Sequence, residues 1–257
     1  MKTSGNTILM TGGGSGIGEA LAQRFHDQGN TVIIAGRRLG ALEAACEGRA
    51  NMHARVLDVE SAQGVAEFAA GLLADFPALN VLINNAGIMR YERLDKARDL
   101  ADAEATIVTN VLGPIRLIDA FVEHLVARGD GAIVNVTSGL AFVPLPGAPT
   151  YSATKAAIHS YTQSLREMLR GRVEVIELAP PAVQTDLTPG QRTREGYQPL
   201  DEFADEVMAL LAQDPTPEEV LVERVQGFRT ADRDGTHGEY ARNLAGLSTR
   251  MFDQLGL

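Results

Sequence analysis

Short runs of apolar, often β-branched residues alternate along the chain with longer stretches in which apolar residues recur at helical spacing. Uninterrupted apolar runs are typical of strands in a parallel sheet, because helices cover both faces of such a sheet. The predicted strands span residues 7–10, 31–35, 52–57, 81–83, 132–136, 173–178 and 219–223. The predicted helices span residues 17–29, 39–48, 62–75, 99–128, 151–170 and 201–211.

This alternation of strand and helix predicts an α/β fold with a doubly wound sheet and right-handed crossovers. We expect a single Rossmann-type domain over residues 1–257, with a seven-stranded parallel sheet and helices on both faces. The sequence has no internal repeat, no low-complexity tract and no linker that would divide it into two domains.

The last quarter of the chain has a different character. Residues 188–200 are polar and rich in turn formers, and a loop of this length in a compact domain is usually functional. We therefore predict a substrate lid over about residues 186–215. Beyond about residue 228 the sequence is charged and weakly patterned. This C-terminal extension, 228–257, is predicted either as a helix over 240–247 that packs on a partner or as partly disordered.

Composition narrows the possible partners and the compartment. The net charge of −10 argues against a nucleic-acid partner, which requires a basic face, and against an anionic membrane surface. No uninterrupted apolar run reaches the roughly 20 residues of a membrane span. The single cysteine, Cys46, excludes an internal disulfide and fits a reducing cytosol, and the first residues lack a signal-peptide pattern. We expect a soluble cytoplasmic protein without a metal site.

The first strand is followed by a glycine-rich turn, residues 11–18, that leads directly into a helix. Glycines allow a backbone to approach a pyrophosphate, and a helix N-terminus offers free N–H groups and the positive end of a dipole. The alternative is a flexible glycine loop. The flanking strand and helix favour a dinucleotide site, with predicted contacts from Gly12, Gly14, Ser15, Gly16, Ile17 and Gly18.

Two arginines, Arg37 and Arg38, follow the second strand, where no acidic residue is present. An acidic residue at this place binds the ribose hydroxyls of NAD, whereas arginine accommodates the 2′-phosphate of NADP. The alternative is a solvated pair at a strand end. We predict NADP as cofactor, with NADPH preferred over NADH.

Polar residues and glycine also follow the third and fourth strands, at the edge of the sheet where ligands bind in open α/β folds. Asp58 and Val59 follow the third strand, and Asn85, Ala86 and Gly87 follow the fourth. We predict that all five contact the cofactor. Asp58 is alternatively an N-cap of the next helix, and the second group is alternatively a simple turn.

Tyr151 and Lys155 lie four residues apart, which places them on one face of a predicted helix. An ammonium beside a phenol favours the phenolate, so we expect the pKa of Tyr151 to fall from about 10 towards neutrality. Such a tyrosine exchanges protons with a carbonyl or alcohol oxygen. The alternative is a surface contact. Asn110 interrupts the apolar stripe of the helix over 99–128 and is either exposed or functional.

These motifs together resemble the short-chain dehydrogenases/reductases, in their shorter single-domain branch. The similarity covers residues 6 to about 187 and rests on the following pieces: Thr11-Gly12-x-x-x-Gly16-Ile17-Gly18, Asn84-Asn85-Ala86-Gly87, Asn110, Ser138 and Tyr151-x-x-x-Lys155. Residues 137–142 and Ala179-Pro180-Pro181 are also similar to the oxidoreductases of D-alanine/teichoic-acid operons.

The resemblance implies a role for each of four residues. Tyr151 is the general acid or base, and Ser138 hydrogen-bonds the reacting oxygen. Lys155 lowers the pKa of Tyr151 and holds the ribose hydroxyls next to the nicotinamide, so both residues also contact the cofactor. Asn110 holds a water that links Lys155 to solvent. The resemblance further implies a homodimer or homotetramer assembled through the long helices.

The resemblance also implies cofactor contacts from Pro181, Val183 and Thr185, although this segment departs from the family. The family commonly has Pro-Gly where this chain has Pro180-Pro181. Proline fixes φ and removes an N–H, so the backbone that enters the lid is expected to change. Val183 and Thr185 are still expected to meet the nicotinamide amide.

The leading hypothesis is an NADP(H)-dependent oxidoreductase that interconverts a carbonyl and an alcohol in a small molecule. Four apolar residues after Ser138 are predicted to line its pocket: Leu140, Phe142, Val143 and Leu145. Arg192 or Arg194 would meet an acidic substrate group if the lid closes; the alternative is that both are simply solvated. The alternative is a non-catalytic dinucleotide-binding sensor or scaffold. An epimerase or dehydratase fits poorly, because those relatives are longer and space the glycine turn differently.

Overall fold

In a computed structural model that describes residues 1–256, seven parallel strands form one sheet in the order β3-β2-β1-β4-β5-β6-β7. The strands are β1 (Thr7–Thr11), β2 (Thr31–Gly36), β3 (Met52–Val56), β4 (Val81–Asn84), β5 (Gly131–Val136), β6 (Val173–Leu178) and β7 (Glu219–Val220). The strand order reverses between β1 and β4, and ligands of open α/β sheets bind beyond the carboxyl ends of the strands at such a point.

Nine α-helices are present in the described part of the chain, and they cover both faces of the sheet. They are α1 (Gly16–Asp27), α2 (Leu39–Cys46), α3 (Ala62–Asp75), α4 (Ala101–Ile107), α5 (Gly113–Arg128), α6 (Pro149–Leu169), α7 (Leu200–Leu211), α8 (Glu223–Thr230) and α9 (His237–Leu255). The predicted α/β class, the doubly wound topology and the seven-stranded parallel sheet are confirmed.

Two apolar cores lie on opposite faces of the sheet, because successive side chains of a strand point to opposite sides. Ile8 and Met10 of β1 join the core beneath α1, α2 and α7, whereas Leu9 joins the core beneath α3, α5 and α6. Strands buried on both faces explain why their sequences are uninterrupted apolar runs.

The predicted helix over 99–128 is present but is not regular throughout. A π-helical turn, Val108–Leu112, lies between α4 and α5. Within residues 1–256, the combined stretch Ala101–Arg128 is the one helix long and apolar enough to cross a membrane. Its inward residues Leu117, Phe121 and Leu125 are buried against the sheet, as in the core helix of a globular domain.

The last predicted strand, 219–223, is wrong over its second half. Only Glu219 and Val220 pair with β6, and α8 begins at Glu223. Val222 and Val225 are instead buried together in the core against α7, so their burial does not depend on a strand. The edge strand is short because the apolar residues that follow it are buried by helix packing and not by strand pairing.

The C-terminal segment is a 19-residue helix, α9, and is longer than the predicted 240–247. It packs on its own chain, since Ser248 and Met251 are buried. Ser248 Oγ accepts a hydrogen bond from the Gly147 N–H at 2.8 Å. Part of the predicted lid is also helical, since it includes α7. Phe203 and Val207 of this helix are fully buried in the core.

Candidate active site

The glycine turn after β1 is shaped by close contact with the segment after β4. Gly12 has φ 68°, and a Cβ on it would lie 2.9 Å from the Ala86 Cα. A Cβ on Gly18 would overlap the carbonyl oxygen of Gly12. A side chain at either position would therefore displace backbone, and a flexible glycine loop is not what the structure contains.

Thr11 and Asn85 fasten this turn to the end of β4. The Thr11 hydroxyl accepts hydrogen bonds from the N–H groups of Asn85 and Ala86, both at 3.1 Å. Asn85 Nδ2 donates to the carbonyl oxygen of Thr11 at 3.0 Å. The two segments predicted to meet the cofactor thus form one unit, and Thr11, the first residue of the glycine motif, is a positioning residue, a role that the sequence did not predict.

Every residue predicted to contact a cofactor lines one of two adjoining crevices along the carboxyl ends of the strands. The larger, about 430 Å³, is lined by Gly12, Ser15, Gly16, Ile17, Gly18, Arg37, Arg38, Asn85, Ala86, Gly87, Tyr151, Lys155, Pro181, Val183 and Thr185. The smaller, about 190 Å³, adds Gly14, Asp58 and Val59. An elongated crevice that passes the N-terminus of α1 fits a dinucleotide.

The two arginines after β2 have different surroundings. Arg37 Nη1 lies 3.2 Å from a carboxylate oxygen of Glu60. Arg38 Nη2 donates to Ser15 Oγ at 3.4 Å and has no salt bridge within residues 1–256. Arg38 therefore offers the less neutralised positive charge at the glycine turn.

Asp58 does not cap the helix that follows it. Its carboxylate accepts a hydrogen bond from the Glu60 N–H at 3.0 Å. Ser61 is the N-cap of α3 and accepts from the Gly64 N–H. The exposed Asp58 carboxylate borders the smaller crevice.

Tyr151, Lys155 and Ser138 meet where β5 ends against α6. Tyr151 and Lys155 are 8% and 5% exposed, so the alternative of a surface contact is wrong. The Tyr151 hydroxyl is hydrogen-bonded to Ser138. Lys155 Nζ donates to the Val136 carbonyl oxygen at 2.8 Å. All three residues line the larger crevice.

The pKa of Tyr151 moves in the opposite direction from the prediction. Burial raises it to about 12, although the hydrogen bond with Ser138 lowers it in part. Burial also lowers the pKa of Lys155 from its ordinary 10.5 to about 8. Lys155 Nζ points to Val136 and lies 5.5 Å from the centre of the Tyr151 ring, so desolvation outweighs the attraction between the two groups.

Asn110 is 1% exposed, so the alternative of a solvent-facing asparagine is wrong. It lies in the π-helical turn, and such turns are frequent at functional sites. Its side chain bonds the N–H and the carbonyl oxygen of Ile88, each at 2.9 Å, and Thr154 Oγ1 at 3.2 Å. Asn110 thereby fixes the segment after Gly87 to α6. Its role in holding a water stays a prediction.

Glu92 is a buried carboxylate that the sequence did not single out. It accepts hydrogen bonds from the N–H and the hydroxyl of Thr150, both at 2.9 Å, and from Arg98. Burial acts to raise the pKa of Glu92, but these hydrogen bonds outweigh it, so the pKa is lowered. A carboxylate at the N-terminus of α6 stabilises the helix that carries Tyr151.

A second buried carboxylate, Glu177, contacts Thr137, the residue that precedes Ser138. The Thr137 hydroxyl donates to Glu177 Oε1 at 2.6 Å, and His159 Nδ1 lies 2.7 Å from Oε2. The Glu219 carboxylate lies close enough to His159 and Glu177 for the three side chains to ligate one metal ion. Arg229, however, already donates two hydrogen bonds to Glu219. This network supports the end of β5.

We expect Thr137→Val to destabilise the protein by about 1–3 kcal/mol, because the fully buried Glu177 carboxylate loses a donor. Thr137→Ser keeps the hydroxyl and is the matched control. Urea denaturation at neutral pH measures both. Equal losses in the two variants would show that the hydroxyl contributes nothing and that only packing changed.

We expect Lys155→Met to stabilise the cofactor-free protein at neutral pH. Between pH 8 and 10.5 an unfolded Lys155 keeps its proton whereas the native one has lost it, so wild-type stability rises with pH in this window. The advantage of the variant should therefore shrink by up to roughly 3 kcal/mol as pH rises through the window. Urea denaturation across this range measures it. A stability difference independent of pH would contradict the account.

A separate, mostly apolar cavity of about 380 Å³ begins at Ser138 and Tyr151. Leu140 and Leu145 line it as predicted, but Phe142 and Val143 do not. Phe142 packs edge-on against His159, with ring centres 5.1 Å apart. The Val143 side chain is fully buried in the protein interior.

The two arginines predicted to meet an acidic substrate group differ in position. Arg192 is exposed and paired with Asp186. Arg194 Nη1 lies 3.5 Å from the Tyr91 hydroxyl and 3.3 Å from the Tyr197 hydroxyl, and both tyrosines line the cavity. Arg194 is therefore the one of the two that lies close to the cavity.

Comparison with known proteins gives one consistent result. The family described as short chain dehydrogenase matches residues 6–196. The uncharacterized oxidoreductase DltE of Bacillus subtilis is 38% identical over 97% of this chain and 99% of its own length. A sulfoacetaldehyde reductase of Chromohalobacter salexigens is 36% identical over 70% of this chain and 74% of its own. A short chain dehydrogenase from Burkholderia cenocepacia, solved in complex with NADP, superposes with a TM-score of 0.80 at 28% identity and covers 93% of this chain and 98% of its own.

Proposed function

The chain belongs to the short-chain dehydrogenase family, and we propose that it is an NADP(H)-dependent oxidoreductase that interconverts a carbonyl and an alcohol, with Tyr151 as general acid or base. One observation carries this proposal. Ser138 and Tyr151 line both the dinucleotide crevice and the separate apolar cavity. Their hydroxyl groups therefore stand where a substrate oxygen in the cavity would come close to a cofactor in the crevice.

When bound, a nicotinamide dinucleotide supplies the hydride. The residues of the chain handle the substrate oxygen and its proton. With a pKa raised to about 12, Tyr151 keeps its proton at neutral pH and is ready to donate it. An alkoxide is a stronger base than a phenolate, so the transfer is favourable once charge develops on the oxygen.

Ser138 and Lys155 assist Tyr151 in this proposal. The Ser138 hydroxyl, already bonded to Tyr151, orients the substrate oxygen towards the phenol. Lys155 is protonated at neutral pH because its pKa stays near 8. Its ammonium group stabilises the phenolate that forms when Tyr151 gives up its proton, and it holds the ribose hydroxyls of the cofactor.

Two features support NADPH over NADH as the preferred cofactor. No acidic residue directly follows β2 to accept the ribose hydroxyls of NADH, and Arg38, which has no salt bridge within residues 1–256, brings a positive charge to the glycine turn. The similar dehydrogenase from Burkholderia cenocepacia was solved with NADP. The 2′-phosphate would lie between Arg37 and Arg38.

We further propose a cytoplasmic homodimer or homotetramer. Ile107 and Leu112, around the π-helical turn, are 45% and 38% exposed, and this apolar surface on the long helices supports self-association. Light scattering on the purified protein measures the mass of the assembly.

The experiment that tests the proposed function separates turnover from binding. NADPH is first titrated by its fluorescence, and its oxidation is then followed with a broad panel of aldehydes and ketones. We expect binding and oxidation together. Tight NADPH binding without oxidation by any compound would favour the alternative, a non-catalytic dinucleotide sensor or scaffold.

A further inference from the structure

The cavity beyond Ser138 and Tyr151 is lined in part by residues outside the segment that matches the family. That match ends at residue 196. One wall consists of Val225 and Phe228 of α8, which lie against Gly139, and of Leu244 and Leu247 of α9. This wall belongs to the C-terminal part of the chain, so a substrate named for a relative does not transfer by family membership alone.

The wall is held in a fixed position by α9. Ser248 Oγ accepts a hydrogen bond from the Gly147 N–H at 2.8 Å, in the loop just before Tyr151. Met251, one turn further on, is also buried. The Gly147 carbonyl oxygen in turn accepts from the Glu92 N–H at 2.9 Å. The C-terminal helix is therefore part of the cavity and not a loose extension.

The volume of the cavity, about 380 Å³, exceeds what a compound of two or three carbons would fill. It lies in the range of about 300–1,000 Å³ that suits larger ligands with mostly apolar surfaces. Leucine, valine and phenylalanine side chains line one wall. The volume and this lining favour a substrate with a large apolar body.

The charges around the cavity favour an anionic end on that body. The chain has 33 acidic residues, yet none of them lines the cavity, whereas Arg224 does. Arg224 Nη1 donates to the Gly196 carbonyl oxygen at 3.1 Å. Arg194 Nη1 donates to the hydroxyl of Tyr197, the residue that follows Gly196. Neither arginine has a salt bridge with a carboxylate in residues 1–256, although Arg192 and Arg229 each have one.

We propose that the substrate is an amphipathic oxo compound with a carbonyl group at one end, an extended apolar body and an anionic group, such as a carboxylate, at the other. The carbonyl lies at Ser138 and Tyr151, and the carboxylate lies near Arg194 and Arg224. Guanidinium groups bind carboxylates through charge-assisted hydrogen bonds. The inference rests on the proposed function.

The reaction balances with the groups already named. The carbonyl carbon gains a hydride with its two electrons from the reduced dinucleotide, which is thereby oxidised. The carbonyl oxygen gains a proton from Tyr151, and solvent replaces that proton. The anionic end and the apolar body take no part in the chemistry.

The test uses ω-oxo acids of increasing length, each with an aldehyde at one end, and their methyl esters as matched compounds, with NADPH and the full chain. We expect kcat/KM to rise by about fourfold for each added methylene over several positions. At the best length the acid should exceed its ester by about tenfold or more.

Two kinds of variant locate the effect. Arg224→Gln and Arg194→Gln should each bring the ratio of acid to ester closer to one. Arg233→Gln changes an exposed arginine that is paired with Asp234, and it should leave the ratio as in the wild type. Leu247→Trp places a larger side chain in the cavity and should lower the ratio of long-chain to short-chain kcat/KM.

Two other outcomes have separate meanings. Reduction of short aldehydes, with no gain from length and none from the carboxylate, would overturn the substrate class and leave the proposed function intact. NADPH binding without oxidation by any compound of the series or of the broad panel would overturn both.

Discussion

Replacing Tyr151 by phenylalanine is expected to lower kcat for carbonyl reduction by about 10²–10⁴-fold, because the reaction loses its general acid. The variant removes only the hydroxyl, and the ring remains in its buried place between Leu145 and Met89. NADPH affinity should therefore change little. Steady-state kinetics at neutral pH and a fluorescence titration with NADPH measure the two quantities separately.

Tyr161→Phe provides the matched control. Tyr161 lies on the same helix, α6, but it packs against the core beneath the sheet and lines neither the crevice nor the cavity. Its variant should keep wild-type kcat. If Tyr151→Phe reduced carbonyl compounds at the wild-type rate, the hydroxyl of Tyr151 would not be the proton donor, and another group would have to take that role.

The second large effect is expected at the cofactor end of the crevice. Arg37→Asp should lower the ratio of kcat/KM for NADPH to that for NADH by about 10²-fold, because a charge-assisted contact to the phosphate is lost and a repulsive carboxylate is gained. The new carboxylate would also stand beside Glu60, whose present partner is Arg37. An acidic residue at this position suits the ribose hydroxyls of NADH.

Arg38→Asp should have an effect of the same sign, since Arg38 approaches Ser15 of the glycine turn. Arg55→Asp is the control, because Arg55 is paired with Asp75 and lines neither crevice. The ratio of kcat/KM for the two cofactors, measured with one carbonyl substrate, reports the result. An unchanged ratio in both crevice variants would remove the argument for NADPH.

Local patterns were sufficient to predict the sheet and the glycine turn. A strand buried on both faces is mostly apolar, so β1, β2 and β4 are visible in the sequence without knowledge of their neighbours. The steric reason for glycine is local at Gly18, whose Cβ would overlap the Gly12 carbonyl oxygen, whereas Gly12 is required because Ala86 of the distant segment after β4 lies against it. The order of the motifs along the chain then brought Ser138, Tyr151 and Lys155 to one place.

Features that depend on contacts between distant residues could not be predicted. Glu92 binds Thr150 across 58 positions, and Glu177 binds Thr137 across 40. The sequence around Glu92 does not indicate that its carboxylate is buried, and although Glu177 lies in the predicted strand 173–178, its contact with Thr137 is not visible from the sequence. The same holds for the packing of α9, which is held by a hydrogen bond from Gly147, 101 positions away.

The pKa of Tyr151 shows why spacing alone does not determine electrostatics. Four residues on a helix place Lys155 on the same face as Tyr151, but the direction of the ammonium group depends on its acceptor. Here that acceptor is the Val136 carbonyl oxygen, and burial of both side chains outweighs their mutual attraction. The sequence predicted the pair correctly as neighbours and predicted the sign of the shift wrongly.

We propose that this chain catalyses hydride transfer from NADPH to a carbonyl carbon while Tyr151 protonates the oxygen. The most direct measurement uses NADPH labelled with deuterium at C4 of the nicotinamide, together with a carbonyl compound that the wild type reduces or, if none is found, the full panel. Mass spectrometry of the product should show one deuterium on the carbinol carbon with the wild type and almost none formed in the same time with Tyr151→Phe. Alcohol without deuterium from either stereospecifically labelled cofactor, or no alcohol despite tight NADPH binding, would contradict the account.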